Sequence, residues 1–134
     1  MKVEGLGWLG IRTERFEETA RFFQEVMGLE ETRRERDVVG FAFPDGAEME
    51  VWRPEDEFHS FFGAGPVVGF RVDGVGAARA EMEAAGVEFL GQSQRSEGAA
   101  WSHFRGPDGK STRSSAGVRT AACRRRDRLT EPFR

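Results

Sequence analysis

Trp8-Leu9-Gly10-Ile11-Arg12-Thr13 decides the fold, because the chain states it twice. Val67-Val68-Gly69-Phe70-Arg71-Val72 repeats it 59 residues on, with Gly10 matched by Gly69 and Arg12 by Arg71. The succeeding residues are repeated too. Ala20-Arg21 through Val26-Met27-Gly28-Leu29-Glu30 corresponds to Ala78-Arg79 through Ala84-Ala85-Gly86-Val87-Glu88, at a spacing of 58. A strand, a helix and a closing glycine thus recur in the same order. Self-similarity on this scale marks a duplicated supersecondary unit whose copies share a core.

Working outward from the first copy, Glu4 to Thr13 alternates as a strand, with Leu9 and Ile11 on one face and Trp8, Gly10 and Arg12 on the other. Thr13 is placed to cap a helix, and Phe16, Ala20, Phe23 and Met27 come next at helical spacing, with Phe22 and Val26 widening the stripe. Gly28 suits the left-handed residue that closes such a helix. Leu29–Glu35, Val38–Phe43 and Ala47–Arg53 read as three strands, the last two joined at Pro44-Asp45-Gly46. The first module therefore spans about 4–53.

Residues 54–65 form an acidic, aromatic linker, expected to act as a flap. The second module, about 66–118, offers a strand at 66–72 and a helix at 75–85. A strand at 87–91, a polar loop at 92–98, a strand at 99–105 and a turn at Gly106-Pro107-Asp108-Gly109 complete the pattern as far as it is readable. One strand is then still owed, and Lys110–Gly117 is polar and without alternation.

The net charge of −3 conceals an asymmetry. Residues 111–134 carry seven Arg against Asp127 and Glu131, so the preceding 110 residues stand at −8. An acidic body repels nucleic acid, and no apolar run approaches the ~20 residues of a membrane span. Met1-Lys2-Val3-Glu4 leads directly into strand pattern, so no leader is expected. The single Cys123 fits a reducing, cytoplasmic setting.

Gly7-Trp8-Leu9-Gly10-Ile11-Arg12-Thr13, Phe22-Phe23 ahead of Met27-Gly28-Leu29, and Trp101-Ser102-His103-Phe104-Arg105-Gly106-Pro107-Asp108-Gly109 together resemble the vicinal oxygen chelate superfamily. That group includes glyoxalases, bleomycin-resistance proteins and extradiol dioxygenases. The resemblance covers residues 5 to 110 and implies an α+β fold: two βαβββ modules whose curled mixed sheets surround a concave cavity, in one domain at 1–118, often as a homodimer. It also implies a divalent metal held from four strand positions. In this chain those positions fall at Trp8, Glu50, Val67 and Arg113, and only Glu50 is a ligand. No metal or other cofactor is therefore expected, unless Glu50, His103 and His59 assemble a substitute site.

The position owed to the last strand admits two readings. One permitted back-translation of Lys110–Gly117, read from its third base, encodes Val-Tyr-Glu-Ile-Ile-Ser-Arg, the closing strand the resemblance implies, glutamate included. In that reading a one-base deletion near codon 110 has corrupted the strand and put residues 111–134 out of frame. In the other, 119–134 is a basic disordered tail.

Alternation gathers a set of residues on the face away from the helices. Strand one supplies Trp8, Gly10 and Arg12; strand four supplies Glu48, Glu50 and Trp52. The fifth strand adds Val67, Gly69 and Arg71, and the seventh adds Trp101, His103 and Arg105. All three Trp of the chain fall there. Aromatic planes favour flat or cationic ligands, and few polar groups among apolar ones is the make-up of a small-molecule pocket. Trp8, Glu50, Trp52, Val67, Trp101 and His103 are the candidate ligand-binding residues. Arg12 and Arg71 are expected to pair with acids such as Glu48, and Phe41, Phe43, Phe61 and Phe62 to serve core or flap.

The expected function is thus a metal-independent binding protein for a planar or cationic small molecule. The competing expectations are two. One is an enzyme, either a lyase, isomerase or dioxygenase on a rebuilt metal site, or a metal-free catalyst with Glu50 as base and His103 as proton partner. The other is a dimerising module whose groove is vestigial or plugged by its own tryptophans.

Overall fold

The structure is a computed structural model and describes residues 1–57, 59–60, 65–96 and 98–117. Eight strands form one curled sheet. They are β1 (Val3–Arg12), β2 (Glu30–Arg34), β3 (Val38–Ala42), β4 (Glu48–Trp52), β5 (Val67–Val72), β6 (Phe89–Ser96), β7 (Ala99–Arg105) and β8 (Ser111–Ala116), in the order β2-β3-β4-β1-β5-β8-β7-β6. The repeat is visible in that order. In each half the first strand pairs in parallel with the last, β1 with β4 and β5 with β8, and the halves join through antiparallel β1–β5. The α+β architecture of two βαβββ modules that the resemblance implies is the one found.

The helical connections stand on the outer face. Helix α1 (Phe16–Arg21) runs into one π-wound turn, Phe22–Val26, and α2 is Val75–Ala84. Thr13 Oγ1 accepts the Arg15 N–H at 3.1 Å, bending the chain into the helix without serving as its N-cap. The longer stripe expected through Met27 is not realised. The Met27 N–H bonds to Phe22 O, five residues back, and the widened turn rotates its own C-terminal end away from the sheet. Phe16 and Ala20 are buried, whereas Phe22, Val26 and Met27 are exposed. Phe16 and Ala20 pack with Val39, Phe41, Met49 and Val51, and Leu9, Ile11, Phe23 and Phe43 complete this core. A second cluster, Val72, Val75 and Ala78, lies under α2.

Two expectations in the second module are corrected. The supposed polar loop at 92–98 continues β6 to Ser96, across a register shift between Leu90 and Gln94 in which Gly91, Gln92 and Ser93 stand against Ser102 alone. A bulge hides the alternation that the sequence would otherwise display. The stretch after Pro107-Asp108-Gly109 is also a strand: β8 pairs with β7 over six residues and with β5 at Gly69–Arg113, Phe70–Ser114 and Arg71–Ser115. Its main-chain groups complete the sheet although its side chains are polar. Those side chains fit unequally. Arg113 is taken into an ion-pair network, whereas Ser114 Oγ is buried with no hydrogen-bond partner among the described residues. Residues 119–134, with Cys123, lie outside the described residues, as do Phe61 and Phe62.

Candidate functional site: the inner face of the sheet

The sheet's other face bears a third cluster, Trp8, Val38, Trp52 and Val67. Alternation explains the division: Val38 and Trp52 point inward where Val39 and Val51 point to the helices. Strand register then sets a row of residues side by side. Gly40 and Gly10 both pair with Glu50, Gly10 with Val67, Gly69 with both Trp8 and Arg113, and Arg113 with His103.

The indole of Trp8 lies across this row. A Cβ at Gly10 would sit 2.1 Å from its ring, and one at Gly69 would sit 2.9 Å from its Cβ. The two glycines of the repeated motif therefore make the space that this side chain fills. Trp8 Nε1–H donates to Glu50 Oε1 at 2.8 Å. The other carboxylate oxygen accepts Arg33 Nη1–H at 2.9 Å, and Arg33 also forks onto Glu35 at 3.0 and 2.8 Å. Arg113 Nη1 stands 3.9 Å from Glu50 Oε1, with its guanidinium 4.2 Å from the centre of the Trp8 ring and 4.7 Å from that of Trp101. Glu50 and Arg113 are 6% and 8% exposed.

On the far side of Trp52 the linker returns. Arg12 donates to the carbonyls of Pro54 and, at 3.4 Å, Ser60, so it holds the linker rather than Glu48. Asp56 Oδ2 accepts the His59 backbone N–H at 3.0 Å and lies 2.5 Å from His59 Nδ1. The His59 ring lies 3.8 Å from Trp52 and 6.4 Å, edge to face, from His103. Burial pushes both imidazoles below the usual histidine value. For His103, Arg113 and His59 add to burial and carry the pKa down to about 3. For His59 the carboxylates of Asp56 and Glu50 oppose the shift without reversing it.

All six candidate residues are thus buried on one face. Trp8, Glu50 and Trp101 meet at Arg113, His103 stands edge-on to Trp8, and Trp52 joins His103 through His59. Arg105 is not among them: it is exposed and donates to Gly109 O at 2.7 Å. The concave side is largely filled. Among the described residues there is a cleft of about 30 Å³, to which Trp8, Glu48, Arg71 and Arg113 contribute. Sequence reasoning missed Arg33 and the Asp56–His59 pair. The spacing of Arg33 and Glu35, two apart on one strand face, was the available signal for the first.

The Glyoxalase/Bleomycin resistance protein/Dioxygenase superfamily model matches residues 5–111. The chain belongs to this superfamily. Its fold is similar to methylmalonyl-CoA epimerase from Mycobacterium tuberculosis, at 17% identity and a TM-score of 0.67 over 87% of this chain and 89% of that one. It is also similar to a Streptomyces coelicolor methylmalonyl-CoA epimerase variant in complex with 2-nitronate-propionyl-CoA, at 20% identity and a TM-score of 0.66 over 87% and 96%. A hypothetical protein from Bacillus halodurans gives 13% identity and a TM-score of 0.66 over 86% and 95%. Identities this low show the shared fold alone. No curated protein matches the sequence.

The superfamily's metal positions can be tested against this geometry. An indole, an isopropyl group and a guanidinium stand at three of them, and none has a lone pair for a cation. The fourth, Glu50, already binds Trp8, Arg33 and Arg113. No three or more His, Cys, Asp or Glu side chains among the described residues are grouped to hold an ion. This donor set does not fit a divalent metal.

Proposed function

We propose that the chain is a metal-independent, small-molecule-binding member of its superfamily, and that the ligand is planar. One observation carries this reading: a guanidinium, Arg113, lies against Glu50 on the inner face at a position the superfamily gives to a metal ligand. Of the two ligand types an aromatic face serves, Arg113 disfavours the cationic, because it already occupies the cation position over both Trp8 and Trp101. The docking place is the cleft beside Trp8, with the exposed part of the ligand lying outside it.

Quenching of tryptophan fluorescence by a panel of planar compounds tests the proposal. Saturable quenching with a matching rise in melting temperature is expected. No response to any aromatic compound would refute it.

A second reading, a metal-free acid–base enzyme, draws on the Asp56–His59 pair, in which a buried carboxylate orients an imidazole. Glu50 and His103 suit proton transfer less well: both oxygens of Glu50 are engaged, and His103 holds a proton only near pH 3. Full activity of a His59→Gln variant in any assay found would remove this reading.

A homodimer and a cytoplasmic setting belong to the proposal. Leu6 and Phe70 are register partners on the outer face of β1–β5, 61% and 37% exposed, and a second copy would cover them. Sedimentation equilibrium reads this directly. The single cysteine accords with the cytoplasm, and among the described residues no helix is long and apolar enough to cross a membrane.

A further inference from the structure

The cleft beside Trp8 has a chemical character of its own. One wall is Arg113; another is Arg71, on the adjacent strand and two residues beyond Gly69, the register partner of Arg113. Arg71 is half-buried and makes no ion pair with the described residues. Gly7 opens the space between them. A Cβ there would meet the Arg71 side chain at 3.4 Å and Ser115 Oγ at 3.5 Å, so its absence leaves both facing the opening. Two guanidinium groups and a hydroxyl therefore converge on one small cleft of a protein whose first 110 residues carry a net −8. Convergence of cations against the overall charge is what an anion site requires, since arginine forks match oxyanions geometrically as well as electrostatically.

Glu48 and the size of the cleft narrow the class. Glu48 lines the same opening, so a dianion meets more repulsion there than a monoanion. A volume of about 30 Å³ admits a head group and leaves the rest of the ligand outside. We infer that the Arg71–Arg113 cleft binds the carboxylate of a small planar acid, with Arg113 supplying a fixed positive charge where the superfamily would place a metal. The inference rests on the small-molecule-binding reading and specifies its ligand.

Isothermal titration calorimetry of the full chain with sodium benzoate, benzamide and inorganic phosphate at constant ionic strength tests it. Benzoate is expected to bind at least tenfold more tightly than benzamide, and more tightly than phosphate. Arg71→Met should weaken benzoate about tenfold or more while leaving the melting temperature near that of the parent, as loss of one charge-assisted bond predicts. Arg71→Lys, which keeps the charge without the fork, should fall between the two.

Equal binding of benzoate and benzamide would overturn the carboxylate assignment and leave the planar-ligand reading standing. Phosphate binding more tightly than benzoate would also overturn it. Unchanged benzoate affinity in Arg71→Met would move the site elsewhere and refute the inference. Failure of all three compounds to bind would refute the inference, while the reading beneath it falls only if the tryptophan-quenching panel also gives no response.

Discussion

Replacing Glu50 by Gln should destabilise the protein by about 3 kcal/mol, and the size of that loss comes from the geometry. The carboxylate accepts from Trp8 and Arg33 at 2.8 and 2.9 Å and faces Arg113 at 3.9 Å, with the Glu50 and Arg113 side chains 7% and 10% exposed. Gln keeps one acceptor and turns an N–H₂ toward a second donor, so one hydrogen bond is lost. Arg113 stays buried and loses the Glu50 charge. Removing one partner of a buried pair costs ~3–5 kcal/mol, and Arg33 remains forked onto Glu35, which places the loss at the lower end. Against a typical stability of ~5–15 kcal/mol, this is measurable by urea denaturation at unchanged m-value. In the double variant Glu50→Gln, Arg113→Met, the cation that lost the Glu50 charge is gone and ~1–2 kcal/mol should return, as non-additivity between neighbours requires. A Glu50→Gln loss under ~0.5 kcal/mol, or strict additivity of the two substitutions, would refute the coupling of Glu50 to Arg113.

Further predictions concern packing and pH. Gly10→Ala places a Cβ 2.1 Å from the Trp8 ring and should cost ~1–3 kcal/mol, with a shift in tryptophan emission as the indole moves. Ser114→Ala removes a buried hydroxyl that has no hydrogen-bond partner among the described residues and should stabilise by about 1 kcal/mol, read as a higher melting temperature. Below pH 6.5 the unfolded chain protonates at position 103, whereas the folded chain does so only near pH 3. Stability from this residue is therefore complete above pH 6.5 and falls as pH drops toward 3, by up to ~1.4 kcal/mol per pH unit. His59 acts in the same direction. His103→Gln should flatten the acid limb of a stability–pH curve, and an unchanged slope would contradict the burial of that imidazole.

The repeated motif made the modular plan of the fold legible, since duplication sets the same strand-and-helix order twice and alternation assigns each residue a face; the β1–β5 pairing came from the structure. The π-wound turn was not legible, because Phe22, Val26 and Met27 carry a helical stripe that a five-residue hydrogen bond rotates off the core. The full length of β6 and the strand character of the residues in β8 were not legible, for related reasons. A bulge breaks the period of one, and main-chain pairing forms the other despite Ser111, Ser114 and Ser115.

At the site, alternation located Trp8, Glu50, Trp52, Val67, Trp101 and His103 on a shared face. It did not show that Trp8 occupies the space above Gly10, nor that Arg33 and Arg113 meet at Glu50. The two contacts at Glu50 join residues 17 and 63 positions apart and depend on how the sheet brings their strands together. Position 113 also bears on the reading frame. The shifted frame would put Glu at 113 and Ile at 114, suiting the buried place of Ser114 and removing the cation at Glu50. Sequencing of codons 110–117 decides between them, and codons incompatible with the shifted reading establish Arg113 as native.

Metal analysis of the purified chain, before and after dialysis against zinc, nickel and cobalt, tests the proposal of a metal-independent protein most directly. Well under one equivalent is expected in each case, with no cobalt ligand-field absorption, because Trp8, Val67 and Arg113 offer no donors. One equivalent retained per chain, lost on Glu50→Gln, would contradict a metal-independent protein.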